Sequence, residues 1–289
     1  MEGVPAGVFE SVRADLASRG SGLPDGESVA RVVSSHGDYF HVISPAAEGE
    51  LLARTKSSAY FGKDPELVPT TGDFVRLRYN PGGESIILET LPRKSVFARQ
   101  DPSSRRERRQ IVAVNFDELF FCMSLNANFS IGRMKRFLAL SAGCGAARTV
   151  LLTKRDLEEA DCETRLAEAR EAAEGAEVIA VSAKTGEGMD ELRRRAQPGR
   201  TLAFVGSSGV GKSTLLNALA GEEWAAVQEI QEWSGRGRHT TTSRELVILP
   251  CGALVLDTPG LREFGLAGES RPRRGADKRF ATHRWRGKS

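Results

Sequence analysis

One octapeptide constrains this 289-residue chain more than any other feature: Gly206-Ser-Ser-Gly-Val-Gly-Lys-Ser213, between the apolar run TLAFV and the helix-like run KSTLLNALA. It fits G-x-x-x-x-G-K-S/T in its required setting of strand, loop and helix. Its glycines, Gly206, Gly209 and Gly211, let the backbone curl so that successive N–H groups of Ser207, Ser208 and Val210 face phosphate oxygens, and the helix start adds partial positive charge. Lys212 then spans the β- and γ-phosphates, and the Ser213 hydroxyl ligates Mg²⁺. A loop of this kind is built at a sheet edge, so the fold class expected is α/β.

The surrounding pattern agrees. ELFFCMSL, RTVLLT, EVIAVS, TLAFVG, SRELVILP and GALVLD read as strands, and RMKRFLALSA, DLEEADCETRLAEAREAA, MDELRRRA and KSTLLNALA as helices between them. The alternation predicts a mainly parallel sheet covered on both faces, with a hairpin across Cys251-Gly252 at one edge. Ahead of it, SVARVVSS, YFHVIS, ELLART, GDFVRLRYN and ESIILETL are five short strands with turn signals, which predict a small β-barrel of the OB type. Arg31, Arg54, Lys56, Arg76 and Arg78 with Tyr39, Phe61 and Phe74 are candidates for an RNA-binding face; equally, the aromatics fill the barrel and the charges are solvated. The expected division is an N-terminal extension over 1–27 holding at most one short helix, a barrel over 28–98, a basic linker over 99–115, an α/β domain over 116–268 and a basic, disordered tail over 269–289.

Two further motifs follow apolar strands, as nucleotide-edge loops do. Thr153-Lys154-Arg155-Asp156 follows TVLL, and Ser182-Ala183-Lys184 follows EVIA. A carboxylate at Asp156 accepts paired hydrogen bonds from guanine N1–H and its exocyclic amine, whereas adenine has an acceptor at N1 and no amine at C2. Asp156 therefore argues for GTP over ATP. Lys154 can lay its stem along the base, and the Ala183 N–H can meet guanine O6. Downstream, Asp257-Thr-Pro-Gly260 ends GALVLD: Asp257 can hold Mg²⁺ through a water, and the Gly260 N–H can approach the γ-phosphate. Between them lies GRGRHTTTS, where Thr241, with Thr240 and Thr242 as alternatives, offers a hydroxyl to Mg²⁺.

A net charge of +3 is too small to argue for a polyanionic partner by itself. Four scattered cysteines, Cys122, Cys144, Cys162 and Cys251, signal neither disulfides nor zinc and are read as buried thiols of a reducing cytoplasm. No stretch approaches the ~20 apolar residues of a membrane span, so a cytoplasmic protein with no membrane partner is expected, as a monomer.

The order TKRD, SAK, GSSGVGKS, RHTTT, DTPG, with LPRKSVFARQ and ELFFCMSLN upstream, resembles the circularly permuted GTPases, specifically the ribosome small-subunit-dependent RsgA/YjeQ family, over about residues 28–266. The resemblance implies an OB-fold, a GTPase domain and a C-terminal zinc domain that engage the small ribosomal subunit and its rRNA late in assembly. It implies GTP hydrolysis to GDP and phosphate with Mg²⁺, the phosphate loop extending through Thr214, and His239 as the candidate that orients water. Thr153 stands where many GTPases have Asn, which removes a bracing amide and implies weaker nucleotide affinity. Leu261 stands where several place a water-orienting Gln. The segment SRPRRGADKRFATHRWRGKS has no cysteine, so the zinc domain is expected to be absent and no zinc to bind. The alternatives are an RNA-binding module in which nucleotide is only a structural ligand or switch, and an ATP-using P-loop protein.

Overall fold

The computed structural model describes residues 7–20, 22–56, 60, 65–100, 109–126, 128–157, 161–221 and 245–257. Helix α1 (Gly7–Ser18) precedes five strands, β1 (Glu27–His36), β2 (Tyr39–Ile43), β3 (Glu50–Thr55), β4 (Phe74–Arg78) and β5 (Ser85–Thr90). Their order is β1-β2-β3-β5-β4, and pairing of β1 with β4 closes the ring into a barrel. Alternation of buried and outward residues fills it: Val32, Val42, Ala53, Val75, Leu77 and Ile87 meet inside with Phe40.

Strand β1 belongs to two structures at once. Its first half pairs with β4 from Glu27↔Arg78 to Arg31↔Phe74, a register irregularity falls at Val32/Ser34, and Ser34 then pairs with Glu245 of the larger sheet. The irregularity adds local twist and re-aims the strand. One hydrogen-bonded sheet thus runs from the barrel into the α/β unit.

That unit contains β6 (Val96–Gln100), β7 (Arg109–Val114), β8 (Glu118–Ser124), α2 (Ile131–Ser141), β9 (Ala147–Thr153), α3 (Cys162–Ala172), β10 (Glu177–Ala180), α4 (Met189–Arg195), β11 (Thr201–Gly206), α5 (Lys212–Ala220), β12 (Glu245–Ile248) and β13 (Leu254–Asp257). The strand order is β10-β9-β8-β11-β13-β12, parallel except for β12, which forms the expected hairpin with β13. Strand β8 is buried at every position. Its alternate side chains serve opposite layers: Phe121 stacks on Phe137 of α2 at 4.6 Å, and Phe120 on Phe204 of β11 at 4.9 Å. Such stacking contributes about 0.5 to 1.5 kcal/mol beyond burial alone. Helix α2 buries Met134, Phe137, Leu138 and Ser141, the i, i+3, i+4, i+7 spacing of one helix face, and starts where the Ser130 hydroxyl accepts from the Arg133 N–H.

Two expectations differ from the structure. The helix read from DLEEADCETRLAEAREAA begins at Cys162, because the Asp161 carboxylate caps it by accepting from the Thr164 N–H. The segment read as a linker over 99–115 carries paired strand, Gln100↔Arg109 through Ala98↔Ile111, with Val112, Ala113 and Val114 buried. The high charge of SSRRERRQ masked an apolar IVAV run immediately after it. The one short helix allowed for the N-terminal extension is α1, whose Phe9 and Leu16 are buried against Val29, Phe74 and Leu91.

A buried polar hub ties barrel to sheet. Asp73, fully buried, accepts from Arg93 Nε and Nη2 at 2.7 Å each and from the Thr70 N–H at 2.8 Å. Arg93 also donates to the carbonyls of Glu66 and Val68, and its bonds to Asp73 outweigh burial and hold its charge on. Asn115, at φ 53, accepts from the Lys94 N–H and donates to the Gly72 carbonyl. Removing one partner of such a pair strands a buried charge. Asp73→Ala is expected to cost about 3 to 5 kcal/mol of unfolding free energy, read from urea denaturation midpoints.

Candidate functional site

Strands β8, β9 and β10 proceed to one side, and β11, β13 and β12 lie to the other, so the chain reverses direction across the sheet between β8 and β11. In open parallel sheets the carboxyl ends beside such a switch point form a crevice suited to a ligand. Thr153, Ala180, Gly206 and Asp257 end β9, β10, β11 and β13 on that edge.

Close backbone approach shapes the crevice floor. A Cβ on Gly206 would lie 2.4 Å from the Cys122 carbonyl oxygen of β8, a distance no real side chain can occupy. Gly206 therefore allows β11 to pair with β8 up to its last residue, Gly206↔Cys122. Cys122 itself is sealed beneath the loop, and burial pushes its thiol up to about 12, which makes it inert as a nucleophile. The loop turns through Gly211, at φ 94, into α5, whose start carries no side-chain cap. An uncapped helix start with a left-handed glycine before it is a preformed anion cradle. Lys212 Nζ donates to the carbonyls of Gly206 at 2.7 Å and Ser207 at 3.0 Å, curling back over the loop. Ser213 and Thr214 occupy the next two positions of α5.

The TKRD loop sits directly against this cradle. The buried Thr153 hydroxyl donates to the Val210 carbonyl at 2.5 Å, and a Cβ on Gly211 would lie 4.0 Å from both Thr153 Oγ1 and Lys154 Cε. Thr153 thus braces the two loops through its hydroxyl, which differs from the loss of bracing expected from a missing Asn amide. Lys154 is held at φ 61. On its far side the Ser182 hydroxyl donates to Asp156 Oδ1 at 2.7 Å and accepts from the Thr185 N–H. The Ser182 hydrogen bond first, then the charges of Lys184 and Lys154, hold the Asp156 carboxyl below the ordinary range against the opposing pull of burial. Asp156 is therefore an anionic acceptor at neutral pH.

Residues far apart in sequence are in this way neighbours: Thr153 and Lys154 with Val210 and Gly211, more than fifty positions on, and Asp156 with Ser182, 26 positions on. Sequence reading passed over Arg155, whose guanidinium bridges Glu163 of α3 and Glu187 at 3.2 and 3.1 Å. Its signal was a basic residue inside the motif itself, flanked by acids on both later segments. Asp257 ends β13; His239, Thr240, Thr241, Thr242, Gly260 and Leu261 lie outside the described residues. So does the tail, 269–289, and no group of three or more metal-ligating side chains occurs among the described residues. Of the candidate RNA-binding residues, Arg31 and Phe74 are buried and so not part of an outer face, Arg76 is partly buried, Phe61 is outside the described residues, and Tyr39, Arg54, Lys56 and Arg78 are exposed. Cys251 is exposed and Cys162 half-buried, which corrects the reading of all four thiols as buried. None of the described helices is long and apolar enough to cross a membrane.

Residues 90–267 match the family model described as RsgA GTPase. The chain is 40% identical over 258 residues to the small ribosomal subunit biogenesis GTPase RsgA 2 of Lactiplantibacillus plantarum, covering 89% of this chain and 71% of that one. It is 37% identical over 239 residues to the small ribosomal subunit biogenesis GTPase RsgA 1 of Listeria innocua, covering 83% and 66%. The chain thus spans about two thirds of the length of these relatives. Among solved structures, YjeQ from Thermotoga maritima superposes with a TM-score of 0.61 at 24% identity over 81% of this chain and 75% of that one. YloQ, described as a circularly permuted GTPase, does so at 0.57 and 24% over 83% and 73%. At this identity the two structures speak to the fold, an α/β unit preceded by a barrel.

The Thr153 hydroxyl bond is open to direct measurement. Thr153→Val keeps shape and removes the donor to Val210, and is expected to weaken GDP binding about fivefold by calorimetry, equivalent to about 1 kcal/mol. Thr153→Asn, which restores a donor, is expected to recover most of it.

Proposed function

The chain belongs to the RsgA GTPase family, and from that premise we propose that it binds GTP in the crevice between β8 and β11 and hydrolyses it to GDP and phosphate in step with maturation of the small ribosomal subunit. The observation that carries the reading is the Thr153–Val210 hydrogen bond, which joins the base-reading loop to the phosphate loop so that one nucleotide reaches both.

In this reading the ionised Asp156 accepts from guanine N1–H and the exocyclic amine, while Ser182 fixes its rotamer by donating to Oδ1. Lys154 lies along the base and the Ala183 N–H meets O6; Lys184 adds positive charge beside the carboxylate. The N–H groups of Ser207 to Ser213 receive the phosphates at the start of α5, with Thr214 beside the α-phosphate. Lys212 exchanges the Gly206 and Ser207 carbonyls for β- and γ-phosphate oxygens, where it offsets charge that builds on the bridging oxygen as the bond breaks.

The uncapped α5 start and the hydroxyl at Ser213 suit a magnesium–triphosphate complex. Ser213 and Thr241 would hold Mg²⁺ directly and Asp257 through a water, and the ion would supply charge neutralisation for the triphosphate. His239 is proposed to orient the water whose oxygen bonds to the γ-phosphorus as the bond to the β–γ bridging oxygen breaks, giving GDP and inorganic phosphate. Gly260 is proposed to donate its N–H to the γ-phosphate. With Leu261 in place of a Gln, turnover by the isolated chain is slow and contact with the subunit accelerates it. The units proposed for these roles are the barrel over 28–98 and the GTPase domain over 116–268, in a cytoplasmic monomer.

Two measurements test the reading. Phosphate release from GTP is expected to rise when purified small ribosomal subunits are added, for the intact chain and for one ending near Gly268; no release in either case would overturn hydrolysis. Asp156→Asn is expected to lose about ten- to a hundredfold in GTP affinity while leaving weak ATP binding unchanged, because it replaces charge-assisted hydrogen bonds worth roughly 1.5 to 3 kcal/mol.

A further inference from the structure

At the other end of β11 from the phosphate loop, roughly 17 Å away at 3.3 Å per residue, the structure holds a second recess. It is a recess of about 320 Å³, partly open to solvent and bounded by α1, the barrel and the amino-terminal edge of the large sheet. Three structural units meet there. The first turns of α1 contribute Val8, Ser11 and Val12, the barrel contributes Arg31 and Phe74, and the junction and sheet edge contribute Lys94, Asp117 and Arg200.

The charges in this recess do not balance. Asp117 is its one acid among the lining residues, and both its oxygens are engaged, Oδ1 by Lys94 Nζ at 2.7 Å and Oδ2 by the Thr201 N–H at 2.7 Å. Arg200 reaches Glu118 at 3.3 Å. Arg31 is the outlier: 1% exposed, it donates from Nη2 to the Asn115 carbonyl at 3.0 Å, lies 4.8 Å over the Phe74 ring, and has no acceptor for Nε among the described residues. Burial outweighs the attraction of Asp117 and Asp73 and pulls its pKa down to about 10. A guanidinium without a carboxylate in hydrogen-bonding contact is costly to bury and is relieved by any anion that supplies one.

We propose that this recess is a binding site for a small organic anion, its carboxylate or phosphate head received by Arg31 with Lys94 and its apolar body lying against Phe74, Val8 and Val12. The size is at the lower end of small-ligand pockets, and its lining of apolar walls with a few convergent polar groups is what such pockets share. The occupant touches α1, the barrel and the first residue of β11 together, so it fixes the barrel's seat on the nucleotide-binding unit. The site is separate from the crevice at Gly206.

The test uses the full chain saturated with GDP and Mg²⁺, so that the phosphate loop is filled. Benzoate and phenyl phosphate supply the two head groups on one apolar body, and benzamide is the uncharged control. At ten times its dissociation constant, at least one anion is expected to raise the thermal midpoint by about 3 °C, while benzamide leaves it unchanged. Arg31→Met is expected to abolish the shift. Ser11→Glu, at an exposed position on α1 that lines the recess, is expected to abolish it independently by placing a tethered carboxylate there, and serves if Arg31→Met does not fold. No shift with either anion, an equal shift with benzamide, or a full shift retained in Ser11→Glu would overturn the proposal.

Discussion

Everything at the carboxyl edge depends on how closely β8 and β11 approach. Gly206 pairs with Cys122 at a separation that admits no Cβ, and from this pair the remaining strands spread in opposite directions across the sheet. That divergence opens the crevice, and the ends of β9 and β11 stay two places apart in the sheet with β8 between them. Thr153 then closes the gap with one hydroxyl hydrogen bond to Val210. A bulkier residue at Gly206 would separate the strands and displace the phosphate cradle, although no group that touches nucleotide would have changed.

The same sheet explains why the barrel is not a loosely tethered module. Strand β1 serves the barrel through Arg31 and the large sheet through Ser34, so the two units share backbone hydrogen bonds across that strand. Around it, Asp73, Arg93 and Asn115 join the barrel's loops to the β6–β7 hairpin and the start of β8. A polar hub of this kind stabilises little in net terms, since desolvation offsets most of its attraction, but it penalises any other arrangement of the two units heavily. Relative orientation, which decides whether nucleotide state and a barrel-bound partner can sense each other, is where such specificity has an effect.

Circular permutation is easily accommodated by this geometry. The segment proposed to read guanine precedes the phosphate loop in the chain, yet Asp156 and Lys212 belong to loops held in contact. Contacts in the crevice depend on which strand ends are adjacent, and adjacency is a property of the sheet, indifferent to the order in which the chain visits its strands.

Much of this was legible beforehand, for a reason particular to each element. The octapeptide from Gly206 to Ser213 and the apolar runs of β8, β9 and β11 state their local conformation outright, because glycine freedom and apolar burial act over a few neighbouring residues. The role proposed for Asp156 comes from hydrogen-bonding chemistry alone, and its ionised carboxylate suits that role. What the linear text left out were relations across distance: that Thr153 reaches Val210, that Ser182 orients Asp156, that Arg155 straps two acidic segments, that IVAV behind a run of arginines is strand, and that Arg31 is buried when its neighbours in type are exposed. The sequence by itself determined the class of fold and the chemistry each motif can perform, since both follow from side-chain type and local spacing. Only the tertiary structure decided which motifs share one crevice and which charge is buried without a hydrogen-bonded carboxylate, because desolvation and hydrogen-bond pairing depend on neighbours that the sheet, and not the chain, brings together.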